Sequence, residues 1–116
     1  MTAETKNTSG DIVVWKAFKN VCTELRLPVD TVSKLIGTSQ YIDYVVLSPQ
    51  QRKVCLLLVS IHKSLSLLLG GDKTILNHCV TTFNIELQSE PIYLLKEIAG
   101  LELLQKYLLN ALEYKS

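Results

Sequence analysis

The sequence predicts an all-α protein, and three observations support this prediction. Apolar residues recur every three or four positions through most of the 116-residue chain, which is the spacing of helices that bury one face. No segment shows the sustained alternation of apolar and polar residues that is typical of strands. The stretch from Ser48 to Gly70 combines a helix start signal, a long apolar run and a glycine stop signal.

Composition limits the classes of function. The 12 basic and 11 acidic side chains leave a net charge of +1, so no global field attracts the chain to nucleic acid or to a membrane surface. The three cysteines are widely spaced within apolar helical patterns, which indicates reduced thiols. No apolar run approaches the ~20 residues of a membrane-spanning helix, and the N-terminus lacks a secretory signal pattern. We therefore expect a soluble, cytoplasmic protein.

Residues 1–10 are small and polar, and they are predicted to form a disordered arm. Asp11 is a suitable N-cap, so the first helix is predicted to begin there. Pro28 follows shortly after the end of this helix. The apolar face of the first helix is predicted to be Val14, Phe18, Val21 and Leu25, with Trp15 and Cys22 beside it.

A short second helix is predicted from Val29 to Ile36, where Gly37 ends it. A third short helix is predicted to begin at Thr38 or Ser39. Two helices joined by a tight turn at a glycine have the spacing of a helix-turn-helix unit. Residues 11–47 are therefore predicted to form a helix-turn-helix-like N-terminal lobe.

The central helix, residues 48–70, is predicted from local signals at both ends. Ser48 is placed to N-cap it, Pro49 suits the first helical position, and Gln51 completes a capping box. Gly70 ends it. Because apolar residues occupy more than one of its faces, this helix is expected to lie in the middle of the protein and to be covered on more than one side.

Residues 71–116 are predicted to form a C-terminal helical lobe. Asp72 is a suitable cap for one helix, and Ser89 for another with Pro91 in its first turn. A break at Gly100 is expected before the terminal helix. The apolar face of the first helix is predicted to be Ile75, Leu76, Cys79, Val80 and Phe83. The core stripe of the terminal helix is predicted to be Leu101, Leu104, Leu108, Ala111 and Leu112.

No arrangement of residues indicates catalysis or metal binding. Cys55 and His62 share a face of the central helix, but there is no CxxC or HxxxH motif and no carboxylate at matching spacing. No serine lies in a GxSxG motif. The segment from Gly70 to Thr74 lacks the spacing of a phosphate-binding loop. We therefore predict no enzymatic activity, no metal and no cofactor.

The helix-turn-helix pattern raises DNA binding as a hypothesis, because the second helix of such a unit contacts base edges in the major groove. Here that helix offers Ser39 and Gln40 but no basic residue, and the Asp43 carboxylate opposes DNA contact. From the residues alone, a purely structural helix pair and a DNA-binding unit are equal alternatives. The candidate DNA contacts are Lys34, Ser39, Gln40, Arg52 and Lys53.

The terminal helix carries apolar residues beyond its core stripe, namely Leu103, Tyr107, Leu109 and Tyr114. They indicate a broad core face, a homodimer contact or a surface that binds another protein. The residues alone do not separate these alternatives. The excess apolar surface of the central and terminal helices also predicts a homodimer.

Four stretches follow one another in an ordered pattern, namely LIGTS, LSPQQRKVCLLLVSIHKSLSLLLGG, HCVTTFNIEL and SEPIYLLKEIAGLELLQKYLLNAL. In order and spacing they resemble the Xre/MbcA/ParS-type antitoxins, from roughly Trp15 to Tyr114. The chain departs from that family at Cys79-Val80 and at Phe83-Asn84, and its third helix lacks the arginines that are common there. The most telling positions are Gly70, Asn84, Leu87, Pro91, Leu94, Leu95 and Gly100.

The resemblance implies a type II antitoxin encoded beside an NAD-consuming toxin of the RES class. Family members bind the toxin through the C-terminal domain, with the end of the terminal helix near the toxin's active site, and they often repress their own operon through the N-terminal half. The alternative function is a DNA-binding regulator of the Xre-like class that acts without a toxin. The toxin-facing residues implied by the resemblance are Pro91, Leu94, Leu95, Leu103, Tyr107 and Tyr114.

Overall fold

Helices form the regular structure of the protein in the computed structural model, which describes residues 2–37 and 47–115. These ranges contain six helices and no strand, so the predicted all-α class is confirmed. The predicted third short helix, at Thr38 or Ser39, lies outside the described residues. The helices are α1 (Thr2–Glu24), α2 (Val29–Ile36), α3 (Pro49–Leu69), α4 (Lys73–Val80), α5 (Pro91–Leu94) and α6 (Ile98–Lys115).

The first helix begins at Thr2, well before the predicted start at Asp11. The prediction of a disordered arm in residues 1–10 is therefore corrected for residues 2–10, which belong to α1. No proline interrupts this stretch, and Gly10 costs only ~1 kcal/mol in a helix that is already nucleated by the residues after it. Asp11 consequently lies inside α1 and is not its N-cap.

Asp11 instead joins α1 to the start of α3. Its side chain is buried, with the residue 1% exposed, and the carboxylate accepts a hydrogen bond from the Leu47 amide at 2.8 Å and pairs with the Arg52 guanidinium. A buried carboxylate needs such partners because loss of water opposes its charge. At the same end of α3, Gln51 Nε2 donates to the Ile36 carbonyl at 3.0 Å. These contacts tie α1 and α2 to the first turn of α3.

Both ends of the central helix α3 agree with the prediction. Ser48 Oγ accepts from the Gln51 amide at 3.1 Å, and Gln51 Oε1 accepts from the Ser48 amide at 2.9 Å, so the capping box is confirmed. Gly70 ends the helix in the left-handed conformation, with φ 79°. Helices α1 and α6 both pack on α3, so its expected covering on more than one side is also confirmed.

Buried apolar side chains from both halves of the chain form one core around α3. The innermost side chains of α3 are Val54, Cys55, Leu58, Ile61 and Leu65. The opposite side of this helix is exposed and includes Leu56 and Leu67. The predicted core stripe of the terminal helix is confirmed for Leu101, Leu104 and Leu108.

The C-terminal helices begin close to, but not always at, the predicted residues. Asp72 caps α4 as predicted, because its carboxylate accepts two backbone amides of the first turn, at 2.8 and 3.1 Å. The N-cap of α5 is Glu90, so the prediction of Ser89 is wrong by one residue. The Ser89 hydroxyl donates instead to the Glu90 carbonyl at 3.0 Å.

A break at Gly100 was predicted before the terminal helix. Gly100 lies instead in the first turn of α6. The structure gives a different reason for a glycine here. A Cβ atom at this position would lie 2.8 Å from both the carbonyl carbon and the Cα of Leu94, and closer still to the carbonyl oxygen. The residue therefore allows the end of α5 to approach α6 more closely than any side chain permits.

Candidate partner-binding surface

The predicted toxin-facing residues of the α5 segment lie mainly in the core. Leu95 is 0% exposed, Pro91 is buried, and Leu94 is partly buried against the same core. A partner that leaves the fold intact cannot contact a fully buried side chain. Pro91 and Leu95 therefore act as core residues, because their burial fixes the short α5 segment against α6.

The predicted toxin-facing residues of α6 divide by exposure. Tyr114 is 96% exposed, Leu103 is half exposed, and Tyr107 is partly buried. Their spacing of four and seven residues places them along one side of the helix. Leu109 is also half exposed but lies on a different side of α6. The structure thus brings Leu103, Tyr107 and Tyr114 into one stripe.

Two exposed apolar residues before α5 were not predicted. Phe83, expected on the buried face of the preceding helix, lies beyond its end at Val80 and is more than half exposed, and Ile85 is 77% exposed. The hydroxyls of Thr81 and Thr82 donate to carbonyl oxygens of the last turn of α4, at 2.8 and 2.6 Å. Adjacent threonines that satisfy helix-end carbonyls are the signal that could have located this helix end.

Residues 83–89, called the connector loop below, are closed by hydrogen bonds. The Asn84 and Ser89 backbones bond reciprocally, at 2.9 and 3.3 Å. The Asn84 side chain makes two further bonds, since Oδ1 accepts from the Leu87 amide at 3.0 Å and Nδ2 donates to the Tyr107 hydroxyl at 3.2 Å. The loop is therefore attached to the same side of α6 that carries the exposed stripe.

Arg52 and Lys53, two of the predicted DNA contacts, are engaged within the fold. Arg52 pairs with buried Asp11, and Lys53 Nζ lies 3.2 Å from a carboxylate oxygen of Glu102. Lys34 is exposed in the last turn of α2. The remaining candidates, Ser39 and Gln40, lie outside the described residues.

The cysteines are held as thiols. Burial raises the pKa of Cys22 from 9.0 to about 12, and burial also raises that of Cys55 to about 12, with a smaller contribution from nearby Cys22. The pKa of Cys79 is raised for the same reason. Because thiolates are the nucleophilic and metal-binding form, these environments suppress both kinds of chemistry. In residues 2–37 and 47–115, no group of three or more His, Cys, Asp or Glu side chains could hold a metal ion.

An open groove of about 510 Å³ lies along the exposed side of α3, lined by Pro49, Arg52, Lys53, Leu56 and Leu57. Its walls are mostly apolar, with basic side chains at one end. The Lys53–Glu102 ion pair joins this side of α3 to α6. The connector loop contacts α6 at a different residue, Tyr107.

No single helix in the described part of the chain is long and apolar enough to cross a membrane. Helices α3 and α4 meet that criterion by length and composition only if they are taken together, and they are bent by 112° at the break between them.

Comparisons with known proteins add no assignment to this geometry: no family model matches the chain, and no curated protein matches it.

Proposed function

We propose that this chain is the antitoxin of a type II toxin–antitoxin pair and that it neutralises an NAD-consuming toxin of the RES class by covering its active site. The observation that carries the proposal is the stripe of Leu103, Tyr107 and Tyr114 on α6, with Tyr114 almost fully exposed at the helix end. Exposed aromatic and aliphatic side chains on one helix face are typical anchors of protein interfaces.

Inhibition requires binding and occlusion only. Tyrosine suits this role because it covers a large area while only two side-chain torsions are fixed on binding. The resemblance to the antitoxin family implies that the end of the terminal helix lies near the toxin's active site. Tyr114 then enters the substrate cleft, and Leu103 and Tyr107 contact the surrounding surface. Burial of Leu95 and Pro91 keeps α5 fixed against α6 during this contact.

The alternative of a DNA-binding regulator receives less support from the described residues. Arg52 and Lys53 already neutralise carboxylates within the fold. Transfer of the Arg52 guanidinium to a phosphate would leave Asp11, which is 1% exposed, without its charged partner. Repression of the protein's own operon is therefore a secondary part of the proposal, and a cytoplasmic location follows from its need to meet the toxin there.

The experiment that tests the proposal is co-expression with the product of the adjacent gene. The neighbouring product alone is expected to arrest growth, and this chain is expected to restore it. Tyr114→Ser should weaken the complex by about tenfold or more, which is the usual size of an interface hot spot.

Val13→Ser is the matched control, because Val13 is 68% exposed on α1 and lies outside the proposed surface. It should restore growth as the unaltered chain does. A neighbouring product that is harmless alone, or toxicity that this chain does not relieve, would refute the proposed function.

A further inference from the structure

We infer that the connector loop is a pre-formed anchor of the partner-binding surface, that Asn84 is its positioning residue, and that its occupant is a toxin surface with an apolar pocket bordered by basic side chains. This inference rests on the proposed function and deepens it. Antitoxin function requires only that α6 binds, whereas the inference assigns a second contact to a loop before α5.

The connector loop has one defined shape. Two reciprocal backbone bonds between Asn84 and Ser89 close it, and the Gln88 amide donates to the Ile85 carbonyl at 3.3 Å. Gln88 has a φ of 56°, the left-handed conformation that a tight turn requires. The Gln88 side-chain amide donates to the same Ile85 carbonyl at 2.7 Å. The loop is thus ordered by its own contacts.

Asn84 fixes the orientation of the connector loop relative to α6. Its side chain satisfies the Leu87 amide on one side and bonds the Tyr107 hydroxyl on the other. Leu87 packs against the core, so the loop is held at its inner side while Ile85 remains exposed. Because Asn84 joins the loop to α6, it keeps Ile85 at a fixed distance and orientation relative to the α6 stripe.

The charges around Ile85 indicate the chemistry of the occupant. Residues 83–90 carry two carboxylates, Glu86 and Glu90, and no lysine or arginine. Neither carboxylate is in an ion pair within the described part of the chain, and Glu86 is exposed beside Ile85. An apolar side chain next to uncompensated negative charge is complementary to a pocket edged by lysine or arginine.

Hydrogen–deuterium exchange on the chain alone tests the positioning role of Asn84. Asn84→Ala should accelerate exchange of the Leu87 and Ser89 amides by about 30-fold, because it removes two neutral hydrogen bonds. Tyr107→Phe, which removes only one, should have a smaller effect. Asn84→Asp should remain close to the unaltered protein, since a carboxylate can accept from both Leu87 and the Tyr107 hydroxyl. Unchanged exchange in Asn84→Ala would overturn the positioning role.

Binding of the adjacent gene's product, measured by surface plasmon resonance, tests the anchor. Ile85→Ser should raise Kd by about tenfold, whereas Val13→Ser should change it less than twofold. Glu86→Gln should slow association, and this effect should become smaller as salt is added. Asp30→Asn on α2 should leave the association rate unchanged.

The outcomes separate the inference from the proposed function. If the unaltered chain binds and Ile85→Ser binds equally well, the anchor is refuted and the antitoxin proposal stands. If the unaltered chain does not bind, both are refuted. Restored affinity in Asn84→Asp, with lost affinity in Asn84→Ala and the same urea unfolding midpoint for both variants, supports positioning through the loop, because a general loss of folding would lower the midpoint of Asn84→Ala.

Discussion

Alanine in place of Gly100 is expected to destabilise the protein, although the residue lies within a helix. Helix propensity favours alanine over glycine by ~1 kcal/mol. At this position, however, the new Cβ would lie 2.8 Å from two backbone atoms of Leu94 and nearer still to the carbonyl oxygen. Backbone atoms cannot rotate away, so α5 and α6 must separate, and overpacking of this kind costs roughly 1–3 kcal/mol. Because this contact is very close, its cost is at the upper end of that range, ~3 kcal/mol. Subtracting the ~1 kcal/mol gained in helix propensity leaves a net loss of about 2 kcal/mol.

Gly10 provides the matched control, because it also lies within a helix but has nothing within 4 Å of its ideal Cβ position. Gly10→Ala should therefore stabilise the protein by about 0.5–1 kcal/mol. Urea unfolding followed by circular dichroism measures both changes, and the loss for Gly100→Ala corresponds to a fall in Tm of roughly 8 °C. If Gly100→Ala raises the unfolding midpoint as Gly10→Ala does, the close approach of α5 and α6 is refuted.

Three further predictions concern the interior and the assembly of the protein. Asp11→Ala removes the acceptor of the Leu47 amide and the partner of Arg52, so it should lower the free energy of unfolding by about 2–3 kcal/mol in urea titrations; a loss below about 0.5 kcal/mol would contradict this. The pKa values of Cys22 and Cys55 are raised on folding from 9.0 to about 12, so the contribution of these two thiols to stability should be complete below pH 9 and be lost as pH rises towards 12, since the unfolded chain releases these protons first; double replacement by alanine should flatten the decline above pH 9. Sedimentation at micromolar concentration should show a homodimer, and a monomer would refute that prediction.

Local signals in the sequence were sufficient for the helix class and for the best-defined helix ends. The Ser48–Gln51 capping box and the Asp72 cap involve residues within three positions of each other, so their chemistry can be recognised without the fold. The role of Asp11 could not be recognised in this way, because its acceptor function is satisfied by Leu47, 36 residues away. The same limit applies to Gly100, whose importance comes from its approach to Leu94 and not from its propensity.

The candidate surface was only partly predictable for the same reason. Periodicity separated Leu103 and Tyr114 from the core stripe of α6, and both are exposed. Helix α5 has only four residues and ends before Leu95, so periodicity cannot distinguish inner from outer positions here, and the burial of Leu95 was not anticipated. Ile85 lies in a loop whose position against α6 depends on the long-range bond between Asn84 and Tyr107, and no local pattern indicates such a bond.

The most direct test of the central claim is titration of this chain into the purified product of the adjacent gene while NAD consumption is measured. NAD consumption is expected to fall to zero as the chain is added. With the enzyme held at a concentration below Kd, Tyr114→Ser should require about tenfold more protein than Val13→Ser for the same inhibition. NAD consumption that continues unchanged at saturating protein, or equal inhibition by the two variants, would contradict the central claim.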